Sequence, residues 1–273
     1  MAYKTLSLLL KVILFFGLMI CFVALMIYSQ FPSEKEIRGC LTTKLYQVQL
    51  CPTSGKYTRL NDISAYLQKA VVLTEDSTFW THNGFDLQEL EKSVKANVKK
   101  GQYVRGGSTI SQQLVKNLFL TKEKTISRKI VEALITLQLE HALSKKEILE
   151  KYLNVVQFGK DIFGVKQAAQ HYFAKSPAQL SIVESAFLTF LLPSPEKYSK
   201  SFYKKDLTPF ARGRVTQIVD NLYQYNRITD DEYLAAKHEL DTFLAGTPTP
   251  PASDSLEQEF DSIIEENVIP EEL

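Results

Sequence analysis

The sequence predicts an all-α domain carried behind an apolar N-terminal helix. From residue 61 to 245, apolar residues recur at helical spacing behind Ser, Thr or Asp start signals, and no comparable series of alternating strands appears. Ahead of that domain, Val12 to Tyr28 runs without a charged residue, and Leu8 to Leu10 extend the run past Lys11.

A membrane span needs about 20 apolar residues, and a lysine near one end can carry its ammonium to the interface. The run therefore reads as a transmembrane anchor. A cleaved signal peptide has a shorter apolar core and a small-residue cleavage site, which Phe22 to Gln30 do not supply. Bulky Ile20 before Cys21 does not fit a lipoprotein signal. Lys4 and Lys11 precede the span with no acidic residue among them, so the N-terminus is expected in the cytoplasm and the rest outside it.

Four regions follow: 1–30 as cytoplasmic N-terminus and anchor, 31–60 as a juxtamembrane linker, 61–245 as the helical domain, and 246–273 as an acidic flexible tail without Lys or Arg. The linker carries β-favouring residues from Leu45 to Leu50 that suit a small hairpin. In the domain, an apolar helix through Ala70–Leu73 ends at Glu75 and Asp76. Asp86 with Glu89 opens the next, on which Leu90, Val94 and Val98 share a face and which Lys99 to Gly101 stop. Ser108 and Thr109 feed a third. Ser144 with Glu147, Ser176 with Gln179 and Pro177, and Ser181 with Glu184 mark later starts. Residues 212–244 read as two amphipathic helices, the second opened by Thr229 with Glu232, before Gly246 to Pro251 break regular structure.

Lys and Arg number 32 against 31 acidic residues, so no global charge bias calls for nucleic acid. Three cysteines are too few for a disulfide scaffold and lack zinc-ligand spacing. Cys40 and Cys51 can pair in an oxidising compartment or stay reduced; Cys21 sits in the apolar run.

Chemistry concentrates in four segments. Glu75 to Asp86 reads EDSTFWTHNGFD, two carboxylates at a helix end before an Asn83–Gly84 turn. A carboxylate there can be buried enough to act as a general base, the alternative being plain solvation of the helix end. Gly106 to Leu120 reads GGSTISQQLVKNLFL, a glycine-rich turn opening a helix whose free N–H groups suit an anion such as pyrophosphate. On it Gln112 and Lys116 are four apart, as are Gln113 and Asn117, so each pair can project together. No Gly-Lys-Ser/Thr follows, which excludes a Walker-type phosphate loop. Arg128 and Glu132 lie one helical turn apart beside Lys129, and an intrahelical ion pair accounts for them. Lys146 to Phe173 is rich in apolar and aromatic residues better suited to a core than to ligand contacts.

In this order the four segments resemble the motifs of the peptidoglycan glycosyltransferases, glycosyltransferase family 51, whose monofunctional members are the biosynthetic transglycosylases. The resemblance covers Asn61 to Ser199. Glu75, Asp76, Phe79, His82, Gly84 and Asp86 match the first motif, and Gly106 to Asn117 the second. Arg128, Lys129 and Glu132 match the third; Ile148, Leu149, Glu150, Tyr152, Leu153, Asn154 and Gly159 match the fourth, with Gly164, Ala168, Ala169, Tyr172 and Phe173 behind it. A looser fifth spans Glu184 to Pro195. Thr78 stands where the family often has arginine, Ser111 replaces a threonine, and Thr189 and Phe190 replace small residues.

The resemblance implies a lysozyme-like, two-lobed helical fold with a cleft and a hydrophobic jaw dipping into the membrane. It implies inverting polymerisation of lipid II into uncross-linked β-1,4 glycan with release of polyprenyl pyrophosphate. Glu75 would be the general base, and Glu132 would orient cations or help bind a divalent ion. Asp76, Phe79, His82, Gly107, Ser108, Thr109, Gln112, Gln113, Lys116, Asn117, Arg128, Lys129 and Asn154 would contact substrate, with Lys116, Arg128 and Lys129 meeting the leaving pyrophosphate. Mg2+ or Mn2+ assists many relatives, though the sequence shows no ligand set. Implied partners are lipid II, the growing lipid-linked glycan, the bacterial cytoplasmic (inner) membrane and other wall-synthesis proteins. Two other readings remain: a lysozyme-like glycoside hydrolase or lytic transglycosylase, and a membrane-anchored scaffold without turnover. A transpeptidase is not expected, since the Ser-x-x-Lys pattern at Ser194 to Lys197 lacks a later Lys-Thr-Gly or Lys-Ser-Gly segment.

Overall fold

The computed structural model describes residues 2–28, 31–100, 106–123, 125–203 and 207–244. The tail 246–273 and Gly101, the expected stop signal, lie outside the described residues. Helix α1 covers Ala2–Tyr28 and leaves described apolar side chains such as Leu14, Phe15, Ile20 and Phe22 exposed. Among the described residues no helix is long and apolar enough to cross a membrane; in the expected span the side chains of Leu8, Leu9, Val23, Ala24, Ile27 and Tyr28 lie outside what is described.

Residues 31–60 are packed onto the helical domain and are more than a linker. Helix α2, Glu34–Arg38, starts in a Ser33–Glu36 capping box and buries Ile37. Strands β1, Leu41–Thr42, and β2, Gln49–Leu50, pair antiparallel, and a disulfide joins Cys40 to Cys51 behind them. The strands flank Leu45 instead of running from it, because the Val48 amide donates to the Thr43 side chain at 2.9 Å and Gln47 adopts φ 57°.

The domain is predominantly helical: α3 (Ala65–Glu75), α4 (Leu87–Lys100), α5 (Ile110–Phe119), α6 (Ile126–Ala142) and α7 (Lys145–Val155) precede a second hairpin, β3 (Gln157–Gly159) with β4 (Ile162–Phe163). Then come α8 (Val165–Phe173), α9 (Ile182–Leu191), the short α10 (Pro195–Tyr198) and α11 (Lys200–Tyr203), α12 (Pro209–Gln224) and α13 (Asp230–Thr242). The starts at Asp86, Ser144, Ser181 and Thr229 form as the sequence predicts, each side chain accepting from the backbone amide three residues on. The Ser176–Gln179 box opens only a 3-10 turn, Pro177–Gln179, because Ser181 caps a new helix at once.

Helix α9 is buried on every side, Glu184, Ser185 and Thr189 included, and packs against α3 and α12. Helix α5 packs between α6 and α7. Tyr152, Phe79, Phe158 and Phe187 are the largest fully enclosed side chains. The chain turns from β4 into α8 at Gly164, where φ is +77° and an added Cβ would lie 2.5 Å from the Asn154 carbonyl oxygen. Gly164→Ala combines left-handed strain with a backbone clash and is expected to destabilise the fold by about 1–3 kcal/mol, read as a lowered urea midpoint.

Candidate active site

Helix α3 is held on α9 and α12 through Leu67, Ala70, Val71 and Val72, which brings its last residue, Glu75, out toward α5. There the Gln113 side-chain amide donates to Glu75 Oε2 at 2.9 Å, while the Tyr152 hydroxyl of α7 donates to Gln113 Oε1 at 3.0 Å. Burial pushes the Glu75 carboxyl above its ordinary range; the Gln113 hydrogen bond opposes that rise, and the neighbouring Asp76 adds to it. The result is a half-open carboxylate with raised proton affinity.

Asp76, one residue on, is buried and joins three pieces of chain. It accepts from His82 Nε2 at 2.9 and 3.0 Å and from the Ile110 backbone amide at 2.9 Å. The Gly84 amide donates to His82 Nδ1 at 3.0 Å, so the ring proton lies on Nε2 and points at Asp76. The Thr109 hydroxyl closes the loop by donating to the Gly84 carbonyl at 2.7 Å. Asp86 accepts from Thr78 at 2.5 Å and caps α4 through the Glu89 amide at 2.8 Å.

A second cluster occupies the first turns of α6. Arg128 Nη1 donates to Glu132 Oε2 at 3.0 Å and Lys129 Nζ to Glu132 Oε1, so both oxygens of the buried Glu132 are taken by cations. Arg128 Nε is buried and has no hydrogen-bond partner among the described residues. Glu132 therefore orients the two cations. Its carboxylate does not fit a metal held by protein ligands, and among the described residues no three His, Cys, Asp or Glu side chains cluster to hold one.

The geometry coincides with a family match. The transglycosylase family model matches residues 43–222. This chain belongs to the transglycosylase family. It is 44% identical over 179 residues to the biosynthetic peptidoglycan transglycosylase of Dechloromonas aromatica, covering 66% of this chain and 74% of that protein. It is 51% identical over 138 residues to the protein of the same name from Alcanivorax borkumensis, covering 50% of this chain and 56% of that one. The relative from Aromatoleum aromaticum is 49% identical over 140 residues, 51% of this chain and 61% of its own length.

Within the transglycosylase match, the network joins Glu75, Asp76, His82, Thr109, Gln112 and Gln113, but several residues expected to touch substrate are occupied internally. Phe79 is fully buried, edge-on to Trp80 and beneath Lys145 Nζ at 4.7 Å from its ring. His82 spends both ring nitrogens on Asp76 and Gly84. The α5 N-terminus, expected to receive pyrophosphate, already holds an anion, because Asp76 takes the Ile110 amide and Thr109 the Gln112 amide. Gln112 returns its Oε1 to the Thr109 amide at 3.1 Å in a capping box, so it does not project with the exposed Lys116. Gln113 turns to Glu75 and does not share a role with the buried Asn117. Gly107 is set against Ser93 and Leu90 of α4. Asn154 is buried and clasps Thr58, accepting from its amide and donating to its carbonyl, both at 2.8 Å. Ser108 and Lys129 are open, and Arg128 is partly so.

The Thr-x-x-Gln spacing at 109–112 was the available signal for that capping box. Glu140 carried none: it binds Ser111 of α5 and Lys145 of α7 at 2.7 Å, pinning both helices to α6. Removing Asn154's side chain would orphan the buried Thr58 backbone groups. Asn154→Ala is expected to lower unfolding free energy by about 1–3 kcal/mol, with residual activity tracking the folded fraction in a thermal melt assayed in parallel.

Proposed function

We propose that this chain polymerises lipid II, a lipid-linked disaccharide-peptide, into uncross-linked β-1,4 glycan strands, with Glu75 as general base. The carrying observation is the half-open Glu75 carboxylate, whose pKa is raised by burial and which Gln113 steadies at 2.9 Å. The peptidoglycan transglycosylase names of its relatives support the substrate class.

In this reading Glu75 takes the proton from the acceptor sugar's 4-hydroxyl as that oxygen attacks the donor's anomeric carbon and inverts it. The bond to the lipid pyrophosphate breaks, and negative charge grows on the leaving oxygen. Arg128 and Lys129, set by Glu132, and Lys116 meet that charge. Ser108, an exposed hydroxyl, is assigned to substrate in this reading. The cleft reading carries with it a lysozyme-like, two-lobed arrangement. Ser194 stands ahead of α10 in a pattern with no matching later segment, and no transpeptidase activity is proposed.

The membrane enters through two features. Helix α1 presents apolar side chains outward, which suits a single-pass anchor in the inner membrane with a cytoplasmic N-terminus and a periplasmic domain. On the domain, Ile126, Ile130, Leu134 and Leu137 leave an exposed stripe on α6, and Leu87, Leu90, Val94 and Val98 another on α4. Stripes of that extent suit contact with lipid, where both substrates reside. Trp80 is exposed at 49%, whereas Leu118 and Leu120 are core. Other wall-synthesis proteins are proposed as partners.

Full-length protein in detergent with labelled lipid II tests the activity: longer glycan supports polymerisation, while cleavage of preformed glycan or binding without turnover would replace it. Glu75→Gln keeps the shape and removes the proton acceptor, so glycan synthesis is expected to fall about 10²–10⁴-fold with lipid II binding retained. Because the pKa of Glu75 is raised, the base is protonated at a higher pH than an ordinary carboxylate. Activity should therefore fall on acidification from above the usual glutamate range, and that acid limb should disappear from the residual rate of Glu75→Gln. The paired change Ile130→Asp with Leu134→Asp should lower turnover in lipid vesicles by more than in detergent.

A further inference from the structure

The Tyr152 hydroxyl is fully enclosed between α5 and α7, far from any role that proton transfer to substrate would give it. We infer that Tyr152 is a positioning residue for Glu75, its hydroxyl holding the Gln113 amide in the one orientation that presents an N–H donor to the Glu75 carboxylate. The inference deepens the proposed function and rests on Glu75 being the base.

The argument is one of hydrogen-bond direction. A glutamine amide has two faces of opposite character, an oxygen that accepts and a nitrogen that donates. Gln113 lies between Tyr152 at 3.0 Å and Glu75 at 2.9 Å, so one end serves each. Turned as observed, the amide oxygen receives the tyrosine proton and the nitrogen donates to the carboxylate. Turned over, its oxygen would confront Glu75 oxygen to oxygen, and its nitrogen would meet the phenol oxygen, stranding the tyrosine proton in the core. A buried donor left unmade carries a substantial penalty. The chain Tyr152 to Gln113 to Glu75 thus has one favoured direction, and it is the direction that stabilises a carboxylate.

Tyr152 remains a donor because burial, with the charges of Glu75 and Asp76 adding, pushes its phenol well above the ordinary value. The groups facing Glu75 are Asp76 beside it, itself paired with His82, the uncharged Gln113 from α5 and Tyr152 from α7. Burial alone would drive Glu75 toward its protonated, inactive form, and the Gln113 N–H is the group that opposes this. Without the hydroxyl, no tyrosine proton is stranded when the amide turns its oxygen to a protonated Glu75, whose O–H then donates to it, so the protonated form gains a partner and the opposition weakens.

The test uses full-length Tyr152→Phe, which removes one oxygen and keeps the ring. Glu75 is titrated without substrate by infrared difference spectroscopy of its carboxyl band, assigned with Glu75→Gln. Its midpoint is expected to rise by about one pH unit in Tyr152→Phe. The acid limb of kcat should move by the same amount, with KM within about twofold of wild type, since binding contacts are untouched. Gln113→Ala should give a similar shift, and the double variant no more than Gln113→Ala alone, because both act through one chain.

A Glu75 midpoint unmoved by Tyr152→Phe overturns the inference, as do shifts that add in the double variant. Should Tyr152→Phe fail to fold, unaltered protein decides by NMR. A slowly exchanging Tyr152 hydroxyl proton whose shift follows the Glu75 titration supports the relay, and one indifferent to it overturns the relay. A shifted Glu75 titration in a protein that makes no glycan would leave the relay standing and remove the proposed function.

Discussion

The Asp76 carboxylate sits at the N-terminus of α5, accepting the Ile110 amide at 2.9 Å while His82 donates to it from the loop between α3 and α4. Three separate stretches of chain meet at this one charge. A helix N-terminus favours an anion by about 0.3–1 kcal/mol when exposed and up to about 2 when partly buried. Asp76 is buried, and its oxygens are met by an imidazole N–H and a backbone N–H, which compensates the removal of water. Because Asp76 follows Glu75 directly, fixing the one sets where the other emerges. The remaining loop contacts, Gly84 to His82 and Thr109 to Gly84, hang from the same point.

That arrangement divides labour between two adjacent carboxylates. Asp76 is spent on architecture, and Glu75 is left half-buried with Gln113 as its one side-chain donor among the described residues. The cation cluster on α6 shows a parallel division, with Glu132 fully engaged and its two partners carrying donor capacity beyond it, Arg128 Nε among them. In both places the buried acid organises and a neighbour meets solvent. Such pairing keeps the cost of a buried charge within what local hydrogen bonds offset.

The N-terminal segment contributes to the site from below. Backbone amides of Lys44 and Leu45 donate to the Leu118 and Asn117 carbonyls at 2.9 and 3.2 Å, satisfying the C-terminal turn of α5. The Cys40–Cys51 bridge closes the loop that delivers them. The helix that presents Gln113 and Lys116 is thus held at its first turn by Asp76 and at its last by residues outside the helical bundle, which accords with a family match that begins at residue 43.

Much of this was legible in the sequence because its signals are local. Capping residues at 86, 144, 181 and 229 set helix starts through contacts three residues away. The spacing of Arg128, Lys129 and Glu132 likewise announced the ion pairs that form within α6. What sequence could not assign was the direction each polar side chain faces, since that depends on partners far along the chain. Asn154 meets Thr58 across 96 positions, Gln113 meets Glu75 across 38, and Tyr152 meets Gln113 across 39. A buried polar group goes where its hydrogen bonds can be completed, and only the packed helices fix that place. Tertiary structure therefore decided that Phe79, His82, Gln112 and Asn154 hold the domain together, and that Glu75 is left half-buried at the end of α3 facing Gln113.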